Sequence, residues 1–160
     1  MLSALLSSAL LLAPAWQSAL DQRYPGWRMA PVAPQIASWF REYGLSWDPN
    51  FVRADFDRDG REDVALQILA QGSQRVVAVM ADGRVHELAA DPADSFTFLM
   101  LHKQGEKDFD FERMKPFRYA ADSLGLLYFS RTAVTFEWRS RARKFASRNT
   151  PGDEEAELAR

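Results

Sequence analysis

Aspartates recur at alternate positions in one short stretch of the sequence, residues 55–63, which reads DFDRDGRED. A hard cation such as Ca²⁺ takes about six to eight oxygen ligands at about 2.3–2.6 Å, and alternate carboxylates in a tightly turning loop converge on such an ion. Gly60 stands where the backbone must turn. Carboxylates packed this closely repel one another without a cation. The spacing therefore predicts a calcium site built from Asp55, Asp57, Asp59, the carbonyl of Arg61, and Asp63.

The same residues match the first half of an EF-hand loop, which is the obvious alternative. An EF-hand requires a bidentate Glu at the twelfth loop position, and that position holds Leu66. It also requires helices on both sides, whereas the flanks FVRA and VALQI are rich in residues that favour strands. The loop is therefore predicted to join two β-strands.

A calcium loop between strands resembles the loop of FG-GAP repeats, which are also called VCBS or integrin α-like repeats. The resemblance covers residues 54–65, ADFDRDGREDVA, and about 20 residues in all. It implies Ca²⁺ held by Asp55, Asp57, Asp59, the Arg61 carbonyl and Asp63. Those repeats recur to form a propeller, but this chain has one copy, so no propeller is implied. The wider sequence is similar to a group of small secreted bacterial proteins of unassigned function, through residues 24–27 (YPGW), the helix after Pro34, this loop, and the segment from Tyr128 to Trp138.

Other reaction chemistries find little support in the sequence. The chain has no cysteine, which excludes disulfides, thiolate metal sites and cysteine nucleophiles. His86 and His102 are the only histidines, and neither has a second ligand at zinc-site spacing. The acidic residues Asp108, Asp110 and Glu112 lack a following glycine turn and are interpreted as a solvated loop. A non-enzymatic protein is predicted, and a hydrolase that uses two carboxylates remains the alternative.

Exposed aromatic residues are the signal for a third function, the binding of a glycan or a protein partner. Trp39 and Trp138 fall on predicted buried faces, whereas Trp27 and Trp47 lie in predicted turns. An exposed indole in a turn offers a flat face for a sugar ring or a partner side chain. Core packing is the simpler interpretation of both residues.

Helical and strand periodicity predict the elements that carry the loop. Ile36, Trp39, Phe40 and Tyr43 form one apolar stripe after Pro34, and Gly44 caps the predicted helix. From residue 51 the apolar residues alternate. Strands are predicted over residues 51–56, 63–70, 75–80, 84–88, 96–102, 124–129, 132–139 and 144–146, with a hairpin turn at residues 81–83 and a long loop over 103–119. The fold class is α+β, a mainly antiparallel sheet with one N-terminal amphipathic helix packed on it.

The two ends of the sequence differ in composition from the middle. Residues 2–15 are an uncharged apolar run that ends in Ala13-Pro14-Ala15, which predicts a signal peptide over residues 1–15 and a secreted or periplasmic protein. A buried N-terminal helix is the alternative interpretation of this run. The run is too short to anchor the protein in a membrane. Residues 16–148 are expected to form one domain, and the acidic segment 149–160 a disordered tail. With 20 Lys and Arg against 22 Asp and Glu, the chain is near neutral, which argues against a nucleic-acid partner.

Overall fold

The computed structural model describes residues 12–129 and 132–152. Within these ranges the chain is mainly antiparallel β-sheet with two short helices. The helices are α1 (Pro14–Arg23) and α2 (Pro34–Glu42). The strands are β1 (Arg28–Met29), β2 (Phe51–Ala54), β3 (Asp63–Ala70), β4 (Ser73–Val79), β5 (Val85–Pro92), β6 (Thr97–His102), β7 (Lys107–Asp110), β8 (Lys115–Arg118), β9 (Ser123–Tyr128), β10 (Ala133–Arg139) and β11 (Lys144–Thr150).

The strands form two main sheets and a separate hairpin, and every pairing is antiparallel. The first sheet has the order β1-β3-β4-β5, with β2 also paired to β3. The second sheet has the order β11-β10-β9-β6, and β7 pairs only with β8. The turn between β4 and β5 is the expected tight turn, in which Gly83 has a φ of +86° and the Met80 amide donates to the Arg84 carbonyl.

Apolar side chains fill the space between the two main sheets. Three residues on the side of the first sheet, Val52, Phe56 and Ala65, pack against Leu99 and Leu126 of the second sheet. Successive side chains of a strand point to opposite faces. Val64, Leu66 and Ile68 of β3 therefore face away from this core, and they are buried under α1. Strand β3 is thus buried on both faces, which explains its nearly unbroken apolar sequence.

Each helix covers the outer face of one sheet. Trp16, Leu20 and Tyr24, at or just after α1, recur at every fourth position and pack on the first sheet. Ile36 and Phe40 of α2 pack on the second sheet. The helix expected after Pro34 is confirmed, but the described residues contain two helices rather than the single one expected.

Three other expectations need correction or fall outside the described residues. The segment Lys103–Tyr119 is not a long loop, because it contains the β7–β8 hairpin. The tail expected from residue 149 begins later, since Asn149 and Thr150 belong to β11, and residues 153–160 lie outside the described ranges. Most of the expected signal peptide, residues 1–11, also lies outside them, and Trp16, the first residue after its expected cleavage point, is buried. In the part of the chain that the structure describes, neither helix has the length and apolar character needed to span a bilayer.

Candidate metal site

The metal loop, residues 55–62 together with Asp63, joins two neighbouring strands of the first sheet. Strand β2 ends at Ala54 and β3 begins at Asp63, and these two residues are paired across the ladder. Between them the backbone turns through two residues in the left-handed region, Arg58 with a φ of +63° and Gly60 with a φ of +84°. Glycine adopts that conformation at no steric cost, so its position in the motif has a conformational reason. The placement of the loop between two β-strands is confirmed.

The loop brings three of the predicted ligands together. One carboxylate oxygen from each of Asp55, Asp57 and Asp63 lies within 4.8 Å of the other two. Two ligands that share an ion at about 2.4 Å are at most about 4.8 Å apart, so this spacing fits Ca²⁺.

Asp63 is the buried member of this trio, with no exposed surface. One of its oxygens accepts a hydrogen bond from the Phe56 amide at 2.9 Å, and the other accepts one from the Ala81 amide at 2.8 Å. Burial is the main influence on the carboxyl group and raises its pKa to about 6, although the two amides act in the opposite direction. Among the described residues no Lys, Arg or His forms an ion pair with Asp63. The Asp57 and Asp59 carboxylates raise the pKa further.

Asp55 and Asp57 lie at the mouth of the loop and are half-buried. Asp55 accepts hydrogen bonds from the amides of Asp59 at 3.1 Å and Gly60 at 2.9 Å, and Asp57 accepts a second bond from the Asp59 amide at 3.2 Å. These bonds curl the backbone around the carboxylates. The loop is therefore ordered by the same groups that converge on the candidate ion position.

Asp59, the fourth predicted carboxylate ligand, is not part of the trio. Its side chain forms an ion pair with Arg61, whose Nε and Nη2 atoms lie 2.9 and 2.7 Å from Oδ2. The Arg61 amide donates to Oδ1 at 2.8 Å. Hydrogen bonds from the Arg61 side chain and amide hold the pKa of Asp59 below its usual value. The sequence pattern thus identified five ligand positions, and the structure gathers the side chains of three.

Phe56 ties the metal loop to the core. Its ring is fully buried between the sheets and meets the ring of Phe145 at a centroid distance of 5.8 Å. Its amide meanwhile donates to Asp63. The expectation that Phe56 points away from the carboxylates and into the core is confirmed, although β2 ends before it. The loop backbone is thus fixed from both sides, by packing and by hydrogen bonding.

Ala81 is a contributor that the sequence did not reveal. It lies in the turn between β4 and β5, and its amide fixes one oxygen of Asp63 across 18 residues of sequence. The turn itself was predictable from Asp82-Gly83, but no local pattern indicates that it lies beside the metal loop. That neighbourhood follows from the pairing of β3 with β4.

The remaining titratable candidates have structural roles. Asp110 is buried and paired with Arg148 at 2.6 Å, so the expectation of a solvated acidic loop is wrong for this residue. His102 stacks on Tyr119, and His86 packs edge-on against Trp138. Both histidines have a lowered pKa because they are buried.

The two tryptophans in turns differ in their surroundings. The indole of Trp27 donates to Asp21 at 2.8 Å, and the residue packs beside α1. Trp47 is 39% exposed, and its indole donates to the carbonyl of Leu99 at 3.0 Å. It lines an apolar pocket of about 410 Å³ together with Phe51 and Met100. Of the two, Trp47 is the one that presents an open aromatic surface.

No protein-family model, curated protein or solved structure matches this chain. The resemblance of the metal loop to FG-GAP repeats therefore stays a prediction.

Proposed function

We propose that this protein is an exported, non-enzymatic domain that binds one calcium ion in the metal loop. Asp55, Asp57 and Asp63 supply carboxylate oxygens, and Asp59 and the Arg61 carbonyl are the further ligands that the motif specifies. The bound ion fixes the β2–β3 connection. The export signal is that of residues 1–15, and the site of action is the periplasm or the outside of the cell.

The observation that carries the proposal is the position of Asp63. A carboxylate with no exposed surface is costly to ionise unless a cation compensates it. The buried Asp63 carboxylate instead lies close to the carboxylates of Asp55 and Asp57, and one oxygen from each of the three lies at a spacing suited to one shared ion. A divalent cation at that point removes both the desolvation penalty and the mutual repulsion.

Calcium is favoured over other metals by the type of donor. All three side chains offer hard oxygen ligands, and the described cluster contains no histidine. Such a set suits Ca²⁺, Mg²⁺ or Mn²⁺ rather than zinc or copper. The half-exposed position of Asp55 and Asp57 leaves room for water to complete a shell of about six to eight oxygens, which Ca²⁺ accepts in flexible geometry. Extracellular calcium modules bind with Kd values of about 10⁻⁴–10⁻³ M, and we place this site in that range.

A structural role follows from what surrounds the site. The metal loop is tied to the core by Phe56 and to the neighbouring turn by Ala81. An ion that binds only the folded state stabilises it by about 2.7 kcal/mol at a concentration of 100 Kd. A hydrolase would require two facing acids in a cleft, whereas three prominent pockets among the described residues are each lined by no Asp or Glu.

Thermal unfolding with and without calcium tests the proposal. The melting temperature of the wild type is measured at constant ionic strength in EGTA, in 5 mM CaCl₂ and in 5 mM MgCl₂. A concentration of 5 mM is about ten times the expected Kd. We expect a rise with CaCl₂ and a smaller one with MgCl₂. Asp57→Asn removes one charge from the trio and should abolish the rise.

The matched control is Glu62→Gln. Glu62 is exposed, lies next to Asp63 and outside the trio, and pairs only loosely with Arg53 at 3.4 Å. This variant removes the same charge from the same loop, so it should keep the calcium response. Equal responses in Asp57→Asn and Glu62→Gln would mean that the effect is general electrostatics and would refute the site.

A second candidate function, the binding of a glycan or protein partner, is favoured by one observation, the exposed indole of Trp47 above an apolar pocket. An aromatic face at the rim of a concave apolar surface is a frequent feature of ligand sites. Titration of the wild type and of Trp47→Phe with neutral oligosaccharides, followed by tryptophan fluorescence, tests it. Saturable quenching that the variant lacks supports the function, and flat titrations contradict it.

A further inference from the structure

The pairing of Asp59 with Arg61 places a cation of the protein itself on a predicted calcium ligand. The guanidinium group contacts Oδ2 through two nitrogens, and the Arg61 amide contacts Oδ1. Both carboxylate oxygens are thus engaged by one residue. Both side-chain bonds are charge-assisted, and they converge on the single oxygen Oδ2.

The Asp59 carboxylate also interacts electrostatically with the trio of carboxylates. It lies close enough to raise the pKa of Asp63 through its charge. Its backbone amide is already bonded to Asp55 and Asp57. The residue therefore sits beside the candidate ion position by its backbone, while its side chain is turned to the guanidinium. A Ca²⁺ ion and Arg61 are both positive and both bind the same oxygens, so each weakens the hold of the other.

We propose that Arg61 is an autoinhibitory contact of the metal loop, which competes with the calcium ion for the Asp59 carboxylate and so sets the affinity of the site. This inference rests on the proposed calcium function. In the absence of calcium the guanidinium neutralises Asp59 and keeps the loop folded. Calcium binds in full only when Asp59 leaves Arg61 and joins Asp55, Asp57 and Asp63.

The test compares calcium affinities by calorimetric titration of the full chain with CaCl₂ at fixed ionic strength. Arg61→Gln keeps the main-chain carbonyl and removes the competitor, so the Kd should fall by about threefold to fivefold, the strength of an exposed ion pair. Arg58→Gln is the charge-matched control in the same loop, because no ion pair of Arg58 with a described residue is found. We expect Arg58→Gln to change the Kd by less than about 1.5-fold, because water and salt screen the charge of an exposed side chain.

A double-mutant cycle distinguishes competition for the Asp59 carboxylate from the general effect of removing a positive charge. In an Asp59→Asn background there is no carboxylate to compete for, so Arg61→Gln should give no further tightening. Equal tightening by Arg58→Gln and Arg61→Gln, or tightening that persists with Asp59→Asn, overturns the inference and leaves the calcium function intact. Tighter calcium binding by Arg61→Gln than by Arg58→Gln, lost in the Asp59→Asn background, supports it. The absence of calcium binding in every variant, Arg61→Gln included, refutes the calcium function and this inference with it.

Discussion

Truncation of Phe56 tests whether the metal loop and the core form one unit. The Phe56 ring is fully buried among residues of both sheets, and the Phe56 amide donates to Asp63. Burial of a phenylalanine ring is worth about 1.5–3 kcal/mol, and the cavity left by its removal adds to the loss. Phe56→Ala should therefore lower the free energy of unfolding by about 3–5 kcal/mol. For a chain of this size, that is a fall in melting temperature of about 6–20 °C.

Urea denaturation in EGTA, followed by circular dichroism, measures this loss. Phe96→Ala is the matched control, because Phe96 is 49% exposed and its removal opens no buried cavity. It should cost less than about 1 kcal/mol. Calcium titration of the folded Phe56→Ala protein should also show a weaker affinity, although no ligand has been changed. A Phe56→Ala protein with wild-type stability and wild-type calcium affinity would refute the coupling.

The remaining predictions concern three other buried groups. The raised pKa of Asp63, about 6 against an ordinary value of 3.8, means that in EGTA the folded state takes up a proton before the unfolded state does as the pH falls from 7 to 4. Protonation of Asp63 should therefore increase the free energy of unfolding by up to about 3 kcal/mol as the pH falls. Urea denaturation of Asp63→Asn across the same pH range should not show this increase. Gly125→Ala should cost about 1–3 kcal/mol in the same assay, because a Cβ there lies 2.7 Å from Nε2 of His102; unchanged stability would show that the His102 ring moves aside freely. Arg148→Ala should cost about 2–4 kcal/mol, because it removes the closest cation of two buried carboxylates and leaves each with a longer contact to a more exposed arginine, and a loss below about 1 kcal/mol would contradict the buried network.

Local sequence patterns predicted the elements whose side chains pack at regular intervals. The helix after Pro34 carries a stripe of large apolar residues, and the structure buries Ile36 and Phe40 of that stripe. Of the strands on either side of the metal loop, one alternates and the other is almost entirely apolar, and both are present. In these places the nearest neighbours in sequence are enough to specify the structure.

Elements held by distant polar partners could not be predicted in the same way. The β7–β8 hairpin is rich in charged residues, and the bonds that anchor it reach far along the chain. Arg148 pairs with Asp110 from 38 residues away, and the Tyr119 hydroxyl donates to Asp108 across the hairpin. A charged segment whose partners lie elsewhere in the sequence has the composition of a solvated loop. Helix α1 was missed for a different reason, because its apolar residues adjoin a run that also fits an export signal.

The sequence predicted the turning loop and the convergence of three of its carboxylates, but not the contacts within the candidate site. The spacing of aspartates and the glycine at position 60 specify a turning loop, and three carboxylates converge as expected. The ion pair of Asp59 with Arg61 depends on side-chain rotation, which a pattern of residue types does not determine. The amide of Ala81 depends on strand pairing.

Direct measurement of calcium stoichiometry tests the central claim. Equilibrium dialysis of the purified protein against ⁴⁵Ca²⁺, over free concentrations from about 10⁻⁵ to 10⁻² M so as to bracket the affinity of extracellular modules, gives the number of ions bound per chain. We expect one saturable ion in the wild type and in Glu62→Gln, and none in Asp57→Asn. Absence of saturable binding in the wild type, or one ion still bound by Asp57→Asn, would contradict it.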